Sequence, residues 1–85
     1  MARYFFDTFD GERFVRDDVG LECETLEEAK SEGQRALPEM AREVLPDGNH
    51  RTFVVTVRDE VGTVVMRMSL SLVVEEGSVD EQPLS

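Results

Sequence analysis

One cysteine, one histidine and nine basic residues are all that this 85-residue sequence offers to thiol, imidazole and phosphate-binding chemistry. A lone Cys23 forbids an intramolecular disulfide and a cysteine-rich structural zinc site. Its neighbours Glu22 and Glu24 raise the pKa of the thiol rather than activate it, so Cys23 reads as a small, half-buried residue just before a helix. His50 lies in Gly48-Asn49-His50-Arg51, with no second histidine and with Cys23 far away in sequence. A transition-metal site lacks its usual ligands there, and His50 reads as a loop or strand-start residue. Ser31, Ser69 and Ser71 could each be imagined beside His50, but none sits in a nucleophile motif. No catalytic, cofactor-binding or metal-ligating residue is therefore assigned, and no enzyme is expected.

Bases are scarce against 19 acids, and the formal net charge is −10. Proteins that hold nucleic-acid backbones or anionic membranes need clustered Lys and Arg, so both partners are excluded as expectations. Long apolar runs are also missing. Met1-Ala2-Arg3-Tyr4-Phe5-Phe6-Asp7 is cut by its aspartate too early for a signal-peptide core, and no stretch has the length of a membrane-spanning helix. A cytoplasmic protein is expected. Phosphate-cradling glycine loops are lacking too, because Gly11, Gly20, Gly33, Gly48, Gly62 and Gly77 are dispersed singly.

What is present is a compact pattern of strands around one helix. Arg3 to Phe9 is aromatic-rich and strand-like, Asp10-Gly11 is a tight-turn dipeptide, and Glu12 to Arg16 resumes the strand to give a hairpin. Asp17-Asp18-Val19-Gly20 breaks the pattern, and Leu21 to Cys23 adds a short extended piece. Thr25-Leu26-Glu27-Glu28 matches a capping box, in which Thr25 accepts from the backbone three residues on and Glu28 reaches back to the Thr25 N–H. Leu26, Ala29, Gly33, Ala36, Leu37, Met40, Ala41 and Val44 recur at helical spacing as one buried stripe. Glu32/Arg35 and Glu39/Arg42 face solvent as i,i+3 pairs. Pro38 lacks the N–H that would bond the Gln34 carbonyl, so the helix is expected to bend or break near it. Either the helix wraps the sheet with Gly33 at the close approach, or it divides in two with Pro38 in the first turn of the second part.

The strongest strand signal comes last. Phe53, Val55 and Val57 alternate with polar or smaller residues in Arg51 to Arg58, and Val64, Met66, Met68, Leu70 and Leu72 do so in Thr63 to Leu72. Asp59-Glu60-Val61-Gly62 joins them, with Gly62 suited to a left-handed turn position. The expected fold is α+β in the order ββαββ, a four-stranded, mostly antiparallel sheet with the helix on one face. Residues 1–74 are expected to form the single domain and 75–85 an acidic, disordered tail. One helix covers one face only, leaving Val54 and Val65, with Phe5 or Phe9, on the other. The carboxylates Asp7, Asp10, Glu12, Asp17, Asp18, Glu22 and Glu24 supply no regular calcium-loop spacing and read as solvated turn residues. Met40, Met66 and Met68 read as core filling.

The order of these motifs carries a resemblance. Arg3-Tyr4-Phe5-Phe6-Asp7 with Asp10-Gly11, then Asp17-Asp18-x-Gly20, Leu26-Glu27-Glu28-Ala29 and Val57-Arg58-Asp59-Glu60-x-Gly62 resemble the short bacterial proteins of the domain of unknown function 6894 family, from about Arg3 to Leu72. The resemblance implies a compact α+β domain in a bacterial cytoplasm and implies no activity. Family members often carry a histidine where this chain has Asp7, so the resemblance offers no polar residue as a site.

The expected function is a non-enzymatic protein-binding or self-association module, of a regulatory or adaptor kind, with the open sheet face or an edge strand as its contact and a homodimer as one outcome. The alternative is an acidic, antitoxin-like accessory subunit that neutralises a basic partner protein; a small enzyme or ligand-binding protein comes third. The charge distribution localises the contact. Residues 1–24 hold seven acids and three bases, residues 25–46 five and three, and residues 47–72 three and three, while residues 73–85 hold four acids and no base. The acidic ends keep the chain soluble, and the neutral second hairpin is where another chain can pair.

Overall fold

The computed structural model describes residues 1–45 and 48–77. Pro46, Asp47 and residues 78–85 of the expected tail lie outside them. Among the described residues, five strands and one helix follow in the order β1 (Ala2–Phe9), β2 (Phe14–Val15), β3 (Leu21–Cys23), α1 (Leu26–Val44), β4 (His50–Arg58) and β5 (Val64–Val73). All pairings are antiparallel, the sheet runs β2-β1-β4-β5, and β3 also pairs with β1. The class expected from sequence is thus found, with a fifth strand where Leu21 to Cys23 extends the edge.

The first hairpin is shorter than expected because its turn uses more of the chain. The Asp10 carboxylate accepts the N–H groups of Glu12 (2.9 Å) and Arg13 (2.8 Å), and the Asp10 N–H donates to the Arg13 carbonyl. Asp10 through Arg13 is therefore a closed turn, and only Phe14 and Val15 remain to pair with Phe9 and Thr8. Arg51, reaching across from β4, donates through Nε to the Asp10 carbonyl and clasps this turn.

Register decides which residues meet the helix. Opposed residues of an antiparallel pair share a face. Phe6 lies opposite Val57, Val57 opposite Met66, Val55 opposite Met68, and Phe53 opposite Leu70. These residues line the helix side, where Phe53, Val55 and Val57 are fully buried with Cys23 and Ala29. Helix α1 answers with a stripe of four buried residues, Ala29, Gly33, Leu37 and Ala41, each one turn from the next. Cys23 is fully rather than half buried, because β3 carries it under the start of the helix. Leu26, in contrast, stays largely exposed at the first helical position.

Three of those four stripe residues are Ala or Gly, so the helix can lie close to the sheet. A Cβ on Gly33 would sit 2.6 Å from Met68 Cε and 3.6 Å from Val55 Cγ1. Gly33 is retained for that approach, against a helix-propensity cost of about 1 kcal/mol. Gly33→Leu is expected to lower stability by about 1–3 kcal/mol through overpacking, read as a lower urea midpoint. Adding Met68→Ala should recover part of the loss, and full additivity of the two changes would refute the contact.

The helix is one continuous element with Pro38 inside it, so the division into two helices does not occur. Thr25 caps it as expected, accepting the Glu28 N–H at 3.1 Å. The reciprocal half of the box is displaced by one residue, since the Glu28 carboxylate accepts from the Glu24 N–H (3.3 Å) and not from Thr25. Glu32 and Arg35 pair at 2.7 Å. At the second hairpin Gly62 takes φ 90°, the left-handed region its position asked for. A bulge between Val57 and Arg58 shifts the β4–β5 register there: Arg58 opposes Val64 while Val57 opposes Met66.

Candidate functional site

The sheet face away from α1 carries Arg3, Phe5, Asp7 and Phe9 from β1 and Thr52, Val54, Thr56 and Arg58 from β4, by the alternation that buries their neighbours on the other side. Val54 and Val65 are on this face, as expected, but they stand among polar pairs. Thr52 Oγ1 and Ser71 Oγ are 3.1 Å apart, and Arg67 Nε lies 3.4 Å from Thr56 Oγ1. The face is mixed, not an apolar surface.

Its centre is an ion pair that the sequence reading missed. Asp7 is only 5% exposed, the one buried charged residue among those described. Arg58 meets it in a fork, Nε to Oδ2 at 2.7 Å and Nη2 to Oδ1 at 3.0 Å. The same Nη2 donates to the Asp17 carbonyl, and the Asp17 N–H donates to Asp7 Oδ1 at 2.9 Å. The Arg58 guanidinium also stands 5.1 Å from the centre of the Phe5 ring. Asp7 is thus not the solvated turn residue expected, because it lies inside β1 with its side chain on the open face. The signal was available in principle: Asp7 alternates with Phe5 and Phe9, and Arg58 closes the alternating run of β4, so both fall on one face once the strands pair.

Asp17 completes the edge of β1. Strand β2 covers that edge at Thr8 and Phe9, and β3 covers it from Ala2 to Tyr4. Between them the Phe6 N–H would be left without a partner, and Asp17 Oδ2 accepts it at 3.0 Å. The other oxygen accepts from Val19 and Gly20, both at 3.0 Å. On the opposite edge, past the last β1–β4 pair at Phe5–Arg58, the Glu60 carboxylate accepts the Arg3 N–H at 3.0 Å. Two side chains therefore finish a ladder that the strands leave incomplete.

These contacts set the protonation of the group. The Arg58 bond holds Asp7 below the usual aspartate value, helped by the Asp17 N–H and outweighing the burial that opposes ionisation. Burial works against the Asp17 carboxylate as well, but its bonds from Phe6, Gly20 and Val19 prevail and its pKa is also lowered. Cys23 moves the other way. Burial pushes its thiol up, with Glu28 and Glu32 adding to the shift in place of the sequence neighbours expected to do so.

Beside this network lies an open depression of about 350 Å³, walled by Phe5, Arg16, Asp18, Arg58, Glu60 and Val61. Its charges are already matched: Arg58 is held by Asp7, Arg16 stands 3.5 Å from Asp18, and Glu60 is bonded to the backbone of Arg3. Such a wall offers a ligand neither a free cation nor an orienting carboxylate. His50 begins β4 and is exposed, Ser31 is exposed on α1, Ser69 lies opposite Val54, and Ser71 lies opposite Thr52 with the two hydroxyls 3.1 Å apart. Among the described residues no three His, Cys, Asp or Glu side chains are placed to share a metal ion, and no helix is long and apolar enough to cross a membrane.

Comparison with known proteins gives the frame. Residues 3–71 match the model of the family described as Domain of unknown function (DUF6894). The chain belongs to that family. Searches of curated proteins and of solved structures found no match. The DUF6894 region runs from β1 into the last turn of side-chain alternation in β5, so it takes in the sheet, the helix and both Asp7 and Arg58.

The remaining unusual feature of this DUF6894 domain is its far edge. Strand β5 has ten residues, pairs with β4 along one side and, among the described residues, is the end of the sheet on the other. Arg67 is its only charged residue, it contains no proline, and Val64, Val65, Leu70 and Val73 are exposed. By contrast β1, near the other end, is screened by two short strands and the Asp17 side chain.

Proposed function

We propose that this domain is a non-enzymatic, cytoplasmic protein-interaction module that takes up another polypeptide strand along the outer edge of β5. The single observation behind this reading is that edge: ten residues long, mostly apolar, with one charge and no proline. An edge of this kind exposes a row of backbone N–H and C=O groups, and monomeric proteins blunt such rows with charge, proline, bulges or a covering segment. Here the bulge sits at the turn end, near Arg58 and Val64, and Met66 to Val73 runs on in regular pairing. Strand addition would satisfy those groups, with exposed side chains such as Leu70 supplying the specificity. The open face contributes less, since its polar groups already satisfy one another.

Native mass spectrometry of protein purified gently from its own host tests this. The wild-type chain is expected in a species heavier than 9.6 kDa, and Leu70→Lys is expected to leave the 9.6 kDa chain alone with unchanged far-ultraviolet circular dichroism. A wild-type chain found only by itself would refute the reading.

A further inference from the structure

We propose that the strand added to β5 is β5 of a second copy of this chain, antiparallel, with the two-fold axis passing at Ser69. The inference rests on the interaction reading above and names the partner at that same edge.

The alternation of polar and apolar residues along the strand is symmetric about Ser69. Outward from that residue stand Met68 and Leu70, then Arg67 and Ser71, then Met66 and Leu72, then Val65 and Val73. A two-fold contact must be complementary to itself, residue by residue. In antiparallel pairing centred on Ser69, Met68 meets Leu70 of the second copy, Met66 meets Leu72, Val65 meets Val73, and Arg67 meets Ser71. Every apolar residue then faces an apolar one, and no like charges are opposed. A register centred on Arg67 would place two guanidinium groups directly against each other.

Face and charge agree with this centre. Opposed residues share a sheet face, so a residue-centred register keeps both helices on one side. Leu70 is 42% exposed on the helix side, beyond the part of β5 that packs under α1. The second copy would bring Met68 against it and extend the apolar layer. The sheet would run on through β5 and its symmetry mate without an open edge between them. Two chains of net charge −10 repel each other over most of their surfaces. That repulsion is weakest along β5, because His50–Arg58 and Val64–Val73 contain no carboxylate of their own. The two Arg67 side chains would be four residues apart along the pair, roughly 13 Å at strand spacing, beyond a Debye length at physiological salt.

Purified chain alone, at micromolar concentration, is expected to double its mass in light scattering and to return to the single-chain mass as Leu70→Lys. Under copper-catalysed oxidation Ser69→Cys should form a disulfide-linked dimer, since the two thiols face each other across the axis. Ser71→Cys should not, because its equivalents would lie well outside the Cα separation of a disulfide. Cys23 is buried and does not compete. A chain that is monomeric alone but joined to a different protein in the host would overturn the second-copy proposal and leave the interaction reading standing. No heavier species in either preparation would overturn both. A dimer that survives Leu70→Lys, or that cross-links through Ser71→Cys and not through Ser69→Cys, would overturn the proposed edge and register.

Discussion

Asp7→Ala is expected to cost about 3–5 kcal/mol in urea unfolding, the range for breaking a buried ion pair from one side. The loss has three parts. The Arg58 guanidinium would keep its place in the sheet face without the carboxylate that neutralises it, the Asp17 N–H would lose its acceptor, and the loop that closes the β1 edge would lose its tie to the sheet. Most of the cost is the stranded partner rather than the pair itself. The double change Asp7→Leu with Arg58→Leu should therefore be less harmful than Asp7→Ala alone, since it removes both desolvated charges and leaves apolar volume. A cost near that of an exposed pair, under about 1 kcal/mol, would show that solvent reaches the fork freely.

That network and the Asp10 turn make stability depend on acid. Asp7, Asp10 and Asp17 all have folded-state pKa values below the ordinary aspartate value of 3.8. A depressed carboxylate binds its proton more weakly in the folded chain than in the unfolded one. Its contribution is thus complete above the ordinary value and is lost as pH falls through the lowered one. Between pH 7 and roughly pH 5 these groups should leave the urea midpoint unchanged, and below about pH 4 the midpoint should fall. Asp7→Asn, already without the charge, should fall less over the same range.

Periodicity made the architecture legible because it is local. The alternation of Phe53, Val55 and Val57, the Thr25 cap and the four-residue stripe of α1 each lie within one element. The Asp7–Arg58 pair was not legible because it joins residues 51 positions apart. Its existence depends on strand register, which is fixed only when β1 lies beside β4. Acid-rich segments such as Asp17-Asp18 look solvated in sequence, yet Asp17 substitutes for a missing stretch of strand pairing at Phe6. Composition cannot separate a carboxylate in water from one that completes a ladder. The bulge at Val57/Arg58 is illegible in sequence for the same reason, since it exists only in the pairing of two strands. The edge position of β5, on which the proposed function depends, likewise follows from β1 pairing on the other side of β4.

Phe53→Ala tests the one layer on which everything else rests. The side chain is fully buried in a strand with neighbours on both sides, between Leu70 in register and the helix above. Truncating such a phenylalanine removes its transfer free energy and leaves a cavity, costing about 3–5 kcal/mol. Small domains hold roughly 0.05–0.15 kcal/mol per residue, so the loss is a large share of what a chain of this size has. The adjacent Val54 provides the control, because its side chain is on the polar face and only half buried. Val54→Ala should cost no more than about 1 kcal/mol, the scale of partial burial of a small aliphatic group. A steep fall of the urea midpoint for Phe53→Ala beside a small one for Val54→Ala is the expected pair of results. Equal falls would mean that the sheet buries both faces to the same depth, and the one-sided core described above would be wrong.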